Sequence, residues 1–224
     1  AAFRNHYEST TCPTENGTVK LNEYANYNHL ARAMVETHGE LWSEMGEETS
    51  YHHVNRSRMF NLMGKLKLNL IPVDYDPDDR DEREYGHRMM DEVAIKYNLE
   101  MGGPPEWKGK CYDVIRRAMN INLYPEKTGE IDFDDMVWLP IVKAMKVLQY
   151  DVVLGDESQD WNACQQSLVC RSGKRLFIVG DPQQSIYHFS GADTDGMGNL
   201  LKSLSKKDCG AVEYPLTVTR RCPK

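Results

Sequence analysis

The run Val152-Val153-Leu154-Gly155-Asp156-Glu157-Ser158-Gln159-Asp160 decides the fold class of this 224-residue chain. Its unbroken aliphatic start, with no polar alternation, suits a strand buried on both faces, as in the parallel sheets of α/β proteins. Two further runs share the form. Leu176-Phe177-Ile178-Val179-Gly180 ends in Asp181, and Val212 to Val218, interrupted by Pro215, ends in Thr219-Arg220-Arg221. In open α/β sheets, ligands bind just beyond the C-terminal ends of the strands. Each run ends there in charged residues.

After this run, Trp161, Cys164, Leu168 and Val169 share one face at helical spacing and predict a crossover helix over 161–171. Met197 to Leu204 predicts another, closed by Lys206-Lys207 near its C-terminal end. Ile131 to Tyr150 reads as helical, with Asp132 as N-cap, an apolar face of Phe133, Met136 and Val137, and a kink or break at Pro140. The middle of the chain differs in character. A basic amphipathic run (Arg56 to Leu70) precedes an acidic turn (Asp74 to Glu84), and helices are expected around 86–98 and 108–122. Gly102-Gly103-Pro104-Pro105 and Pro125 punctuate this part, which reads as a helical insertion emerging from the α/β domain.

Composition narrows the class. Hydrophobic residues make up 40% and charged residues 27%, as in soluble globular proteins. No apolar run reaches bilayer-spanning length, and residues 1–15 lack a signal-peptide layout, so an interior location is expected. A net charge of −7 with pI near 5.5 argues against a protein that simply coats nucleic acid, but allows one local strand-binding groove. The six cysteines (Cys12, Cys111, Cys164, Cys170, Cys209, Cys222) form no CxxC pair or zinc ladder and read as free thiols. Asp74, Asp76 and Asp78 imitate the start of a calcium loop. Asp79 and Tyr85 stand where such a loop needs Gly and Glu, so a solvated acidic turn is expected.

A strand ending in Asp-Glu is what a Mg·ATP hydrolase needs. One carboxylate holds the Mg²⁺ that bridges the β- and γ-phosphates, and its neighbour can polarise the attacking water. Ordinary strands also end in acids where they meet solvent, so the pair alone leaves both readings open. Its company is more specific. One βαβ step later comes Gly180-Asp181-Pro182-Gln183-Gln184-Ser185-Ile186-Tyr187-His188-Phe189-Ser190-Gly191-Ala192, and then Leu216-Thr217-Val218-Thr219-Arg220-Arg221-Cys222-Pro223.

These three blocks, in this order and spacing, resemble the DExQD, GDxxQSIYxFxGA and LxxxYRCP blocks of superfamily 1 DNA helicases of the UvrD/Rep class. The likeness is greatest to the branch related to F-box DNA helicases. Ile131-Asp132-Phe133-Asp134-Asp135-Met136 with Leu139-Pro140 resembles that family's IDFDDMLYLP stretch. Lys67-Leu68-Asn69-Leu70 resembles part of its helical insertion, and Ala2-Phe3 the end of a further block. The resemblance implies an α/β fold: a partial RecA-like (P-loop NTPase) parallel sheet flanked by helices, with a mainly α-helical insertion. Residues 1–45 would begin the first motor domain, 46–128 would form the insertion, and 129–224 would complete the domain.

The resemblance also implies ATP-driven 3′-to-5′ translocation on single-stranded DNA and duplex unwinding, with ATP as substrate and Mg²⁺ as cofactor. Asp156 would hold Mg²⁺ and Glu157 would act as general base. Gln184 would sense the γ-phosphate, and Arg221 would neutralise charge on it. Tyr187, Phe189 and Phe3 would stack on single-stranded bases, though Tyr187 and Phe189 fit plain core packing as well. Arg56, Arg58, Lys65 and Lys67 suit either phosphate contact or a solvated helix face. Partners would be single-stranded and duplex DNA and a second RecA-like domain. The location would be cytoplasmic, nucleoid-associated or nuclear.

Three departures stand out. No GxxxxGK[ST] loop occurs, and Arg171-Ser172-Gly173-Lys174-Arg175 reads as a turn into a strand instead. Arg220 replaces the family's tyrosine, placed to stack on adenine. The second motor domain lies outside these residues. The chain therefore reads as a fragment of a motor that is not an ATPase by itself. A helicase–nuclease subunit and a non-catalytic binding remnant are the alternatives.

Overall fold

The computed structural model describes residues 13–14, 17–41, 50–184, 196–206 and 210–216. Strands β1 (Pro13–Thr14) and β2 (Gly17–Thr18) form a short antiparallel pair. Strand β3 (Lys20–Leu21) leads into helix α1 (Ala25–His38). Helices α2 (Ser50–Leu68), α3 (Arg80–Lys96) and α4 (Pro105–Asn122) follow, then the short α5 (Pro125–Thr128). Strand β4 (Glu130–Ile131) pairs in parallel with β3, so the two ends of this helical stretch meet. Helix α6 (Asp135–Val142), strand β5 (Tyr150–Gly155), helix α7 (Ala163–Ser172), strand β6 (Gly173–Ile178) and helix α8 (Gly196–Lys206) complete the described chain.

Local chemistry accounts for these boundaries. Asp79 caps α3 by accepting from the amides of Asp81 (2.9 Å) and Glu82 (3.1 Å), which places the acidic turn's carboxylates at a helix start where they are favoured. Pro104 and Pro105 open α4, where a missing N–H does no harm. Asn162 and Gln165 form a reciprocal capping box at the start of α7. Gly129 adopts φ 76°, the left-handed conformation that ends α5.

The main apolar core lies among the helices. Leu30, Ala33 and Met34 of α1, Met59, Leu62, Met63 and Leu66 of α2, and Val114, Ile115, Ala118 and Met119 of α4 are buried together. Met90, Val93 and Ala94 of α3 and Trp138 and Leu139 of α6 close it. The predicted crossover helix, the helix after the second block and the two middle helices are all present, several a turn longer than the sequence suggests.

Three expectations need correction. The 131–150 helix is confined to α6, because residues 130–131 pair as β4. Asp132 still closes the start of α6: its carboxylate accepts from the Asp135 amide (2.7 Å), and the Asp135 carboxylate accepts from the Asp132 amide (3.1 Å). Residues 210–216 carry no strand. Pro215 has no amide to offer a ladder, no strand lies alongside among the described residues, and Tyr214 and Leu216 are exposed; Thr217 and Val218 lie outside the described residues. Strands β5 and β6 pair in parallel, with Val153 opposite Leu176 and Leu154 opposite Phe177, but among the described residues they are covered on one face only. Helix α7 packs against both strands, whereas Leu154 (78%) and Phe177 (62%) of the other face are exposed. The described part is thus α/β, with small parallel sheets and a predominantly helical core.

Candidate active site

The site begins where β5 and β6 end. Past the ladder, the Val179 amide donates to the Gly155 carbonyl (2.8 Å), and the Ser158 amide donates to the Val179 carbonyl (3.0 Å). The two loops that leave the strands are thereby tied together. The first carries Asp156 and Glu157 and then a 3₁₀ turn, Ser158–Asp160. The second carries Asp181 and the 3₁₀ turn Pro182–Gln184. Close approach of the loops requires small residues. A Cβ on Gly155 would lie 2.2 Å from the Trp161 ring, and one on Gly180 would lie 2.6 Å from both Ser158 Oγ and Gln159 Oε1.

Asp156 and Glu157 are exposed, beside one another at the strand end. Asp156 Oδ1 accepts from the Glu157 amide (2.9 Å). Glu157 sits at φ 52°, a left-handed conformation that costs a side-chain-bearing residue about 1–2 kcal/mol. Strain of this kind concentrates at functional sites. Glu157 Oε2 accepts from Gln159 Nε2 (2.7 Å), and Gln159 Oε1 accepts from the Asp181 amide (3.0 Å). The Asp181 carboxylate accepts in turn from the Gln183 amide (3.0 Å) and from Gln184 Nε2 (2.8 Å). An uninterrupted hydrogen-bonded path therefore joins Glu157 to Gln184. Ser158 Oγ is buried beside it with no hydrogen-bond partner among the described residues.

The donor set suits a hard divalent cation. Mg²⁺ takes one or two protein carboxylates and keeps its remaining places for water and phosphate oxygens. Asp156 offers an exposed carboxylate whose Oδ2 has no hydrogen-bond partner among the described residues. No group of three or more His, Cys, Asp or Glu residues is gathered to hold a metal among the described residues.

The candidate DNA-contact residues are dispersed. Arg56 is exposed on α2. Arg58 donates to the Glu100 carbonyl, and Lys65 lies over the Tyr97 ring at 5.3 Å, its ammonium pKa lowered by burial. Lys67 is 0% exposed, and this corrects its expected role. Its Nζ donates to Asp135 Oδ1 and to Asn26 Oδ1, both at 2.6 Å, and lies 3.8 Å from Asp132 Oδ1. Asn122 Nδ2 also reaches Asn26 Oδ1 (2.8 Å), and Asn122 Oδ1 meets His29 Nδ1. A lysine sealed among these groups cannot meet a phosphate. Phe3, Tyr187, Phe189, Arg220 and Arg221 lie outside the described residues.

Two residues of this architecture carried no role in the sequence reading. Gln159 stood as one letter of a block, and Asp135 as one letter of another. The signal for Gln159 was available: an amide between acidic neighbours can donate to a carboxylate and accept from a backbone N–H at once. Asp135 had no comparable signal, since its lysine partner is distant in sequence.

Comparison with known proteins bears on the family of the chain. The model of the UvrD/REP helicase N-terminal domain matches residues 83–205, more than half of the chain. The ATP-dependent DNA helicase PcrA of Bacillus subtilis is 26% identical over 71% of this chain and 23% of its own length. A probable DNA helicase II homolog of Mycoplasma capricolum is 37% identical over 43% of this chain and 14% of its own. F-box DNA helicase protein 1 of Schizosaccharomyces pombe is 39% identical over 27% of this chain and 7% of its own. In these three matches the chain spans at most 23% of the relative's length. No solved structure matches, and no helix among the described residues is long and apolar enough to cross a membrane. With more than half of its residues matched by the family model, this chain belongs to the UvrD/REP helicase N-terminal domain family.

Proposed function

We propose that this chain supplies half of the ATP-hydrolysing site of a DNA-translocating helicase, built on part of a RecA-like domain. The hydrogen-bonded path from Glu157 through Gln159 and Asp181 to Gln184, beside exposed Asp156, carries this reading. Asp156 would hold Mg²⁺, which when bound neutralises charge on the β- and γ-phosphates. Glu157 would keep Oε2 on Gln159 and use its other oxygen to take a proton from the attacking water. Gln184, exposed at the outer end of the path, would meet the γ-phosphate. Arg221 would oppose the charge that develops there, and Arg220 would lie against the base. Tyr187, Phe189 and Phe3 would stack on single-stranded DNA, with Arg56 as a phosphate contact. In this reading α2 to α4 form a helical insertion that shares its core with α1 and α6.

The 224 residues hold no GxxxxGK[ST] loop. Phosphate grip and the second motor domain must come from outside them, so the chain by itself should not hydrolyse ATP in response to DNA. DNA-stimulated hydrolysis by this polypeptide would overturn that assignment. In a polypeptide that also carries a phosphate loop, Glu157→Gln should bind ATP normally while turnover falls at least about 100-fold, the usual scale for loss of a general base. Undiminished turnover would remove Glu157 from the role.

A further inference from the structure

We infer that Gln159 is a positioning residue that locks the aim of the Glu157 carboxylate to the position of Gln184. The inference rests on the hydrolytic reading of Glu157 given above. Gln159 is 4% exposed and sits in the 3₁₀ turn between the two loops. Its amide is used at both ends: Nε2 donates to Glu157 Oε2, and Oε1 accepts from the Asp181 amide. No other side chain of that length presents a neutral donor and an acceptor together. Glutamate would repel Glu157, and methionine would fill the space but lose both bonds. Gly180 leaves the room for this, since a Cβ there would lie 2.6 Å from Gln159 Oε1.

The consequence is mechanical. Asp181 is gripped from one side by Gln159 and from the other by Gln184. A pull on Gln184 moves the 181–184 loop, and the Asp181 amide carries that displacement to Gln159. The opposite end of the same amide holds the oxygen of Glu157. Glu157 is especially responsive because it is already held at φ 52°, away from its relaxed conformation. Occupation of the phosphate-facing end would thus set the angle of the base with no rearrangement elsewhere. Gln159 itself touches neither water nor phosphate in this scheme.

The test uses the 224-residue chain and carboxyl-carbon NMR of Glu157, with Gln184→Ala as the perturbation. Gln184→Ala should shift the Glu157 carboxyl resonance in the wild-type background and leave it unmoved in a Gln159→Met background. Hydrogen exchange at the Asp181 amide should be about fivefold to tenfold faster in Gln159→Met, the effect of losing one ordinary hydrogen bond. Equal Glu157 shifts in both backgrounds, or no shift in either, would overturn the inference. Gln159→Asn, too short to span both partners, serves as a second variant if Gln159→Met fails to fold, with the same outcomes. Mn²⁺ added to the wild-type chain separates the two readings. Broadening at Asp156 without coupling sinks the Gln159 role alone, and coupling without broadening sinks the hydrolytic reading alone.

Discussion

Lys67→Met gives the severest test of how this fold is held. The substitution keeps the stem and removes the ammonium, leaving Asp135 and Asn26 without their 2.6 Å donor inside the protein. Asp135 has a side chain only 1% exposed, and Asp132, 3.8 Å from the same ammonium, is nearly as deep. Two buried carboxylates would then face each other with no cation. Breaking a buried pair from one side costs about 3–5 kcal/mol, against about 0–1 kcal/mol for an exposed pair. Urea unfolding followed by circular dichroism measures the difference. We expect a loss in the upper range for Lys67→Met, and partial recovery when Asp135→Asn is added, since the orphaned charge is then gone. A loss below about 1 kcal/mol would place Lys67 at the surface and refute the buried network.

Two further outcomes follow from the same geometry. Burial, and then the nearby Asp135, push the Asp132 carboxyl up to about 7 although Lys67 pulls it down. A folded value above the unfolded one, near 4, means that this group's stabilisation is complete at low pH and is lost as pH rises through about 7. Asp132→Asn resembles the protonated form and keeps the acceptor for the Asp135 amide, so stability measured from pH 5 to 8 should become flatter than in wild type; an unchanged slope would exclude Asp132 as its source. Glu157→Gly and Glu157→Ala both take the acceptor from Gln159 Nε2, but only glycine relaxes the left-handed strain at φ 52°, so the Gly variant should be the more stable of the two by about 1 kcal/mol in urea unfolding; an Ala variant at least as stable would contradict the strain.

The sequence was most legible where local chemistry alone fixes the structure. Aliphatic runs ending in Asp156 and Asp181 form paired parallel strands, and the periodic faces around Leu168 and Leu200 are helices. It misled where a letter's usual behaviour was overruled by a distant partner. Lys67 lies four residues after Met63 and eight after Met59, on the buried stripe of α2, so its spacing already placed it inward. Its charge argued for solvent, and the carboxylates that admit it inside come from residues 132–135. The 212–218 run has strand-like composition, but a strand requires a neighbour; residues 212–216 have none among the described residues, and pairing is not written in one segment. The Gln159 bridge was hidden for a related reason: its second partner, Asp181, belongs to the other strand's loop.

We propose the end of β5 as a divalent-cation and water-activating site. Paramagnetic broadening of backbone amide signals by Mn²⁺, standing in for Mg²⁺, tests it on the chain as it stands. Selective loss of the Gly155, Asp156 and Glu157 signals is expected at low Mn²⁺, abolished by Asp156→Asn. Broadening centred instead on the acidic residues of 74–84, and unchanged by Asp156→Asn, would contradict it.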